Sequence, residues 1–392
     1  MHDIKTLLGG LSVEEFLEKY WQKEPLLIRQ ALPGYQCPIT PEELAGLACE
    51  EDVESRLIME QGGATPWQVE HGPFAEERFT NLPATHWTVL VQEINKHVPE
   101  FALLQDRFSF LPNWRLDDVM VSYAPEHGTV GPHADNYDVF LIQGAGHRRW
   151  QINRQEPTDD DLLPDLPLKI MKNFQVEEEW VLEPGDMLYL PPGVAHHGVS
   201  LDNDCLTISV GYRAPTVGSI ISGYCNDALN SFDVDAFYRD PDLKAQDAPG
   251  EIALDAREAF RELIRSIPMD DERIDRWFAS FITDVRPGHY VPEPEEELRP
   301  KKFKDEFKKH GELWRSEYTR YAHYTDAAGV TRLYVAGEEY EMYGDGPKVA
   351  RLLAGQRVFR YKELMPYLDD KELLELLTDL YNLGALYFPE DE

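Results

Sequence analysis

Two stretches of this 392-residue chain carry side chains of the kind that hold a metal ion. In GPHADNYDVF, Gly131 to Phe140, His133 and Asp135 stand two residues apart. In extended backbone, side chains alternate between faces, so these two project to one side and Ala134 to the other. Two histidines and one carboxylate around iron leave three coordination positions open for reactants. The second histidine has candidates in LEPGDMLYLPPGVAHHGV, where Pro191-Pro192-Gly193 precedes His196 and His197. Proline and glycine stiffen that backbone, which lowers the entropy lost in placing a ligand. A bare His-x-Asp is ordinarily a surface pair; its pairing with the downstream histidines is what points to a metal. His127 and His147 lie nearby but have no carboxylate at that spacing, and they read as bystanders.

Other elements must bring these stretches together. Between about Asp117 and Tyr212 the chain reads as strands: DDVMVSYA, NYDVFLIQG, RRWQIN, EEWVLEPGDMLYLPPG and CLTISVGYR. Short strands at close spacing predict a sandwich or barrel. Thr158 to Pro167, TDDDLLPDLP, reads as an acidic loop. The first hundred residues read as mainly helical. Ser12-Val13-Glu14-Glu15 has the form of a capping box, and Thr40-Pro41-Glu42-Glu43 opens a second helix with proline in its first turn. Between them Pro25-Leu26-Leu27-Ile28 predicts a buried strand.

After Ala214-Pro215 the pattern turns helical, with Val217, Ile220, Ile221, Tyr224 and Ala228 on one face. Further helices are predicted in IALDAREAFRELIRSI and DERIDRWFASFITDV, and VPEPEEELRP reads as a linker. A small α+β module closes the chain: a hairpin in GVTRLYVAGEEYEMY, helices near GPKVARLLAG and DDKELLELLTDLYNLG, and a strand in ALYF.

Composition narrows the function classes. A net charge of −34, from 38 basic against 72 acidic residues, repels nucleic-acid and membrane phosphate. Attraction of a basic partner and a saline or hot habitat both fit that charge. No apolar run is long enough to span a bilayer, and the N-terminal MHDIKTLLGGLSVEEF does not read as a signal peptide. The four cysteines form no C-x-x-C pair, which predicts reduced thiols and a cytoplasmic location. There is no G-x-S-x-G, Walker loop or Rossmann glycine fingerprint.

Taken in order, GPHADNYDVF, RRWQI and EPGDMLYLPPGVAHHG resemble the JmjC-type, cupin-fold 2-oxoglutarate oxygenases, specifically the bacterial ribosomal oxygenases. YWQKEPLLIRQAL, Tyr20 to Leu32, is similar to that subfamily's entry segment, and the resemblance runs through the whole chain. It implies an α+β protein in three parts: a double-stranded β-helix oxygenase domain at 1–213, a helical dimerisation region at 214–300, and a winged-helix-like domain at 301–392. It implies Fe(II) held by His133, Asp135 and His196, the last assigned by the family's P-P-G-x-x-H spacing. It also implies 2-oxoglutarate and O2 as co-substrates. The far carboxylate of 2-oxoglutarate needs a cation, for which Arg148 and Arg149 are the candidates, because a guanidinium fork matches a carboxylate in two parallel hydrogen bonds. Alternation puts Arg148 on one face with Trp150 and Ile152, and the family motif aligns with Arg148; Ser122 matches a position whose hydroxyl assists.

The substrate implied is an arginine on a large-subunit ribosomal protein, hydroxylated at its β-carbon. Asp118, Met120 and Ser122 share one strand face, and a carboxylate there would hold a guanidinium. Tyr137 continues the His133–Asp135 face, where it and Met120 could sandwich the planar head, and Ser209 offers another acceptor. Two rival readings keep part of this picture. One is the same centre acting as a histidine hydroxylase or lysine demethylase; the other is a metal-binding cupin scaffold or winged-helix regulator without turnover. Residues 301–392 carry 14 Lys and Arg against 18 Asp and Glu, so direct nucleic-acid binding is not expected. The partner expected for the helical region is a second copy of the chain, in a homodimer.

Overall fold

In the computed structural model, residues 4–62, 66–166, 168–213, 215–285 and 289–389 are described. Pro167 and Ala214, which bound the acidic loop and the helical region in the sequence reading, lie outside them. The chain divides into two compact units, Met1–Ala214 and Pro215–Glu392.

Among the described residues, the first unit holds twelve strands. They are β1 (Leu26–Ile28), β2 (Ser55–Glu60), β3 (Trp67–His71), β4 (Trp87–Val91), β5 (Leu116–Ala124) and β6 (His133–Ala134), followed by β7 (Val139–Ala145), β8 (Arg148–Asn153), β9 (Glu178–Leu182), β10 (Met187–Leu190), β11 (Ala195–Ser200) and β12 (Cys205–Tyr212). Eight form one antiparallel sheet in the order β1-β10-β7-β12-β5-β4-β2-β3, and four form a second in the order β6-β11-β8-β9. This is the double-stranded β-helix.

Period-two alternation explains why the two faces of the large sheet differ. Val119, Val121, Phe140, Ile142, Ile208 and Val210 join the main core. There Phe16, Phe140 and Tyr189 pack with ring centroids 4.8 to 5.8 Å apart. Each such side chain contributes about 1.5–3 kcal/mol on burial. The intervening residues, Asp118, Met120 and Ser122 on β5 and Thr207, Ser209 and Gly211 on β12, turn to the other face and line a cavity. Both predicted capping boxes form, at the helices Val13–Lys19 and Pro41–Leu47.

The N-terminal hundred residues are less helical than the sequence reading has them, because β2, β3 and β4 extend the large sheet. The segment AHHGVS is β11, whereas the sequence reading leaves these histidines simply after a turn.

In the second unit, the helix Val217–Ala228 buries Tyr224 and Ala228 but exposes Val217 and Ile221. The helix Leu254–Arg265 buries none of its residues. The helix Asp271–Thr283 joins the terminal module through Arg276, whose guanidinium meets Glu339 at 2.7 and 2.9 Å. That module carries two three-stranded sheets, and Leu298 of the predicted linker is buried in its core.

Candidate metal centre and pocket

The pairing of β6 with β11 places His133 directly across from His196. Their rings lie 4.3 Å apart, and Asp135 follows just beyond the strand. The Asp135 Oδ2 atom is 3.9 Å from His133 Nε2 and 3.8 Å from His196 Nε2. All three ligand atoms lie within 4.8 Å of one another. The predicted stiff turn acts here too, as the Gly193 N–H donates to the Asp135 carbonyl at 2.8 Å.

The imidazoles are prepared for a cation. His133 Nδ1 sits 2.9 Å from the Gly131 carbonyl and His196 Nδ1 3.0 Å from that of Val194. A carbonyl accepts only from a protonated nitrogen, so Nδ1 carries the hydrogen and each Nε2 presents its lone pair toward Asp135. Burial, then the neighbouring His133, pushes the His196 pKa down, and the neutral ring is the ligating form. His197, its neighbour on the opposite strand face, is pushed down to about 4 by burial and by Arg149. It packs on Phe174 and does not line the cavity. Two imidazoles and one carboxylate, all from one side, are a donor set that suits Fe(II).

The cavity beside this centre has a volume of about 320 Å³. It is lined by all nine residues singled out in the sequence: Asp118, Met120, Ser122, His133, Asp135, Tyr137, Arg148, His196 and Ser209. Tyr137 lies in a bend rather than on a strand, so the alternation used to place it does not hold, yet it still reaches the wall. Between the two candidate arginines the structure separates clearly. Arg148 is 2% exposed and lines the cavity, whereas Arg149 faces outward, 3.9 Å from Glu179. Arg148 makes no ion pair among the described residues. Its Nε reaches only the Cys205 sulfur at 3.4 Å, its Cζ lies 5.8 Å from the Trp150 ring centre, and Nη2 is buried without an acceptor. A buried guanidinium in that state calls for an anion from outside the chain, which is the fit 2-oxoglutarate requires. Gly198 is needed beside it: a Cβ there would come within 2.6 Å of the Trp150 ring.

His127 and His147 do not line the cavity; His147 pairs with Asp202 at 2.7 Å near the surface. Several wall residues escaped the sequence reading. Gln92 and Arg56 come from the segments read as helical. Thr207 and Gly211 were within reach, because they share the alternation that selected Ser209.

Comparison with known proteins agrees with this geometry. The JmjC domain family matches residues 102–220, and the ROXA-like winged helix family matches residues 265–387. Over 386 residues the chain is 36% identical to the ribosomal protein uL16 3-hydroxylase of Escherichia coli K12, covering 96% of this chain and 98% of that one. This chain belongs to the JmjC-domain ribosomal oxygenases. Among solved members of that family, the X-ray structure of E. coli YcfD superposes with a TM-score of 0.84 at 34% identity, covering 97% of this chain and 98% of that one. The complex of the E. coli ribosomal oxygenase with cobalt and 2-oxoglutarate superposes with a TM-score of 0.81 at 33% identity, covering 97% and 99%.

Proposed function

We propose that this ribosomal oxygenase is a 2-oxoglutarate- and Fe(II)-dependent dioxygenase that hydroxylates the β-carbon of an arginine side chain in a large-subunit ribosomal protein, with uL16 the first candidate. The observation that carries the reading is a cavity lined by three convergent metal-ligand residues, by a buried guanidinium with no anion among the described residues, and by the Asp118 carboxylate.

His133, Asp135 and His196 would hold the iron, with the Nδ1 contacts fixing both rings so that the donor atoms need little rearrangement. Arg148 takes the distal carboxylate of 2-oxoglutarate, assisted by the Ser122 hydroxyl. Iron and 2-oxoglutarate held there would supply the activation of O2, with succinate and CO2 as the co-products. The chain's own task is then to aim one carbon at that centre. Asp118 and Ser209 accept from the substrate guanidinium, and Met120 and Tyr137 flank its plane. A carboxylate that holds the guanidinium end leaves the aliphatic part of the arginine, the β-carbon included, to face the metal. Water is kept out by Val139, Leu141, Trp150 and Ile170, apolar residues of the wall.

Two further assignments accompany this reading. The exposed apolar side chains Val217, Ile221, Leu254, Phe260, Leu263 and Ile264 support pairing of two chains through the helical region. The acidic balance of residues 301–392 supports a protein-contact role for the winged-helix part. No helix among the described residues is long and apolar enough to cross a membrane. The four free cysteines and a ribosomal substrate support a cytoplasmic location.

The test is incubation of unmodified ribosomal proteins with the enzyme, Fe(II), 2-oxoglutarate and O2, followed by mass spectrometry. One oxygen gained on an arginine of uL16, with stoichiometric succinate, is the expected result. Oxygen on histidine, or loss of methyl from lysine, would replace the substrate assignment while leaving the metal centre in place.

A further inference from the structure

Among the described residues, two buried side-chain donors that line the metal cavity have no acceptor: Arg148 Nη2 and the indole Nε1 of Trp150. The first has an anion assigned to it above; the second has no task yet. Trp150 is only 4% exposed. A buried indole N–H ordinarily finds a partner, because leaving it unpaired forfeits its hydration without return. The apolar body of the ring helps to keep the wall dry, but that role needs no nitrogen, and phenylalanine would serve it as well.

The strand register fixes where that donor stands. Arg148 pairs with Ser200, Trp150 with Gly198, and Ile152 with His196. Arg148 and Trp150 share one face of β8 by alternation, so Trp150 occupies the step between the guanidinium and the level of the metal ligand. Distances agree: the ring centre is 5.8 Å from Arg148 Cζ and 5.8 Å from the His196 ring centre. A Cβ on Gly198 would come within 2.6 to 2.9 Å of Cζ3, Cη2 and Cε3. Those carbons are the benzo side of the indole, so its N–H edge is turned away from Gly198. Ionised 2-oxoglutarate carries acceptors and no donor, and it must pass this step to join Arg148 to the metal. We propose that Trp150 binds the co-substrate directly, its indole N–H donating to a carboxylate oxygen of 2-oxoglutarate. This rests on the reading of Arg148 as the co-substrate's anchor.

The experiment compares Trp150→Phe with Arg148→Ala. Phenylalanine keeps an aromatic ring beside Arg148 and Gly198 and removes only the donor. Calorimetric titration of 2-oxoglutarate into the Mn(II)-loaded protein should show binding weakened roughly ten- to a hundred-fold in Trp150→Phe, the loss of one hydrogen bond to a charged group. The KM for uL16 should stay within about two-fold. Thermal unfolding separates binding from packing: the rise in Tm that 2-oxoglutarate produces should shrink in the variant. A Tm lowered without ligand, with that rise unchanged, would make Trp150 structural and overturn the proposal. Parent affinity in Trp150→Phe, with a loss in Arg148→Ala, overturns the role of Trp150 and leaves the co-substrate site in place. Parent affinity in both variants overturns both. If Trp150→Phe does not fold, the parent protein decides by nuclear magnetic resonance of isotope-labelled indole nitrogens. Trp150 lies beside His196, so its N–H signal is the one most broadened when Mn(II) replaces Zn(II). In the Zn(II) form that proton should move downfield when 2-oxoglutarate is added, and a proton that stays in place refutes the proposal.

Discussion

Replacing Arg148 by alanine isolates the claim that Arg148, and not Arg149, receives the far carboxylate of the co-substrate. Its guanidinium is buried, has no ion-pair partner among the described residues, and keeps Nη2 without an acceptor. Such a group gains most from a carboxylate, since no side-chain carboxylate among the described residues pairs with it. Removing one member of a desolvated, hydrogen-bonded charge pair costs about 2–5 kcal/mol. At about 1.4 kcal/mol per decade, this predicts a rise of roughly thirty- to several-thousand-fold in the KM for 2-oxoglutarate. Arg148→Lys should recover only part of the loss, because an ammonium cannot make the two parallel bonds of the fork. Arg149→Ala serves as the control, as that side chain faces outward toward Glu179 and should change the KM little. Succinate formation at varied 2-oxoglutarate gives the KM, and calorimetric titration of 2-oxoglutarate into the Mn(II)-loaded protein gives affinity without turnover. The reasoning fails if Arg148→Ala binds 2-oxoglutarate as tightly as the parent, or if Arg149→Ala loses more.

His133→Ala should abolish turnover and weaken Mn(II) binding in calorimetry; activity at the parent level would reject the metal assignment. Asp118→Ala should weaken uL16 by about 2–5 kcal/mol without altering the requirement for 2-oxoglutarate, measured by anisotropy and initial rates. A uL16 variant with lysine at the modified position should be a poor substrate for the same reason. In the metal-free protein, stability should fall as pH drops from about 6.5 toward 4. Burial holds His197 neutral down to about 4, while the unfolded chain takes up its proton near 6.5, so acid favours unfolding across that window. Thermal unfolding against pH should therefore slope less in His197→Gln, and an unchanged slope would assign the effect elsewhere. Replacing Ile221 and Phe260 by serine should shift the chain toward monomer in sedimentation if the helical region pairs two copies.

The strands that carry the chemistry were legible because alternation is a local property. In RRWQIN, Arg148, Trp150 and Ile152 are buried while Arg149, Gln151 and Asn153 are half-exposed, as period two requires. The capping boxes at Ser12 and Thr40 were legible for the same reason, since each needs only four consecutive residues. What escaped depends on long-range pairing. Trp87–Val91 becomes a strand by pairing with β5, and Ser55–Glu60 by pairing with β4 in turn, partners that no local pattern names. With them went Arg56 and Gln92. His196 could be preferred over His197 only by family spacing, because the side each faces is set by the pairing of β11 with β6 and β8. Among the helices, the apolar face from Val217 to Ala228 was visible, but its division between buried Tyr224 and exposed Ile221 was not.

The large sheet of the oxygenase unit keeps its two jobs on opposite sides. Val119 and Val121 anchor β5 in the apolar core, while Asp118, Met120 and Ser122 between them face the cavity. A lineage could therefore exchange the inward residues one at a time, and so change which side chain is oxidised, without loosening the layer that keeps the barrel closed. The same scaffold is in that sense a reusable chassis, with its selectivity written on every second residue.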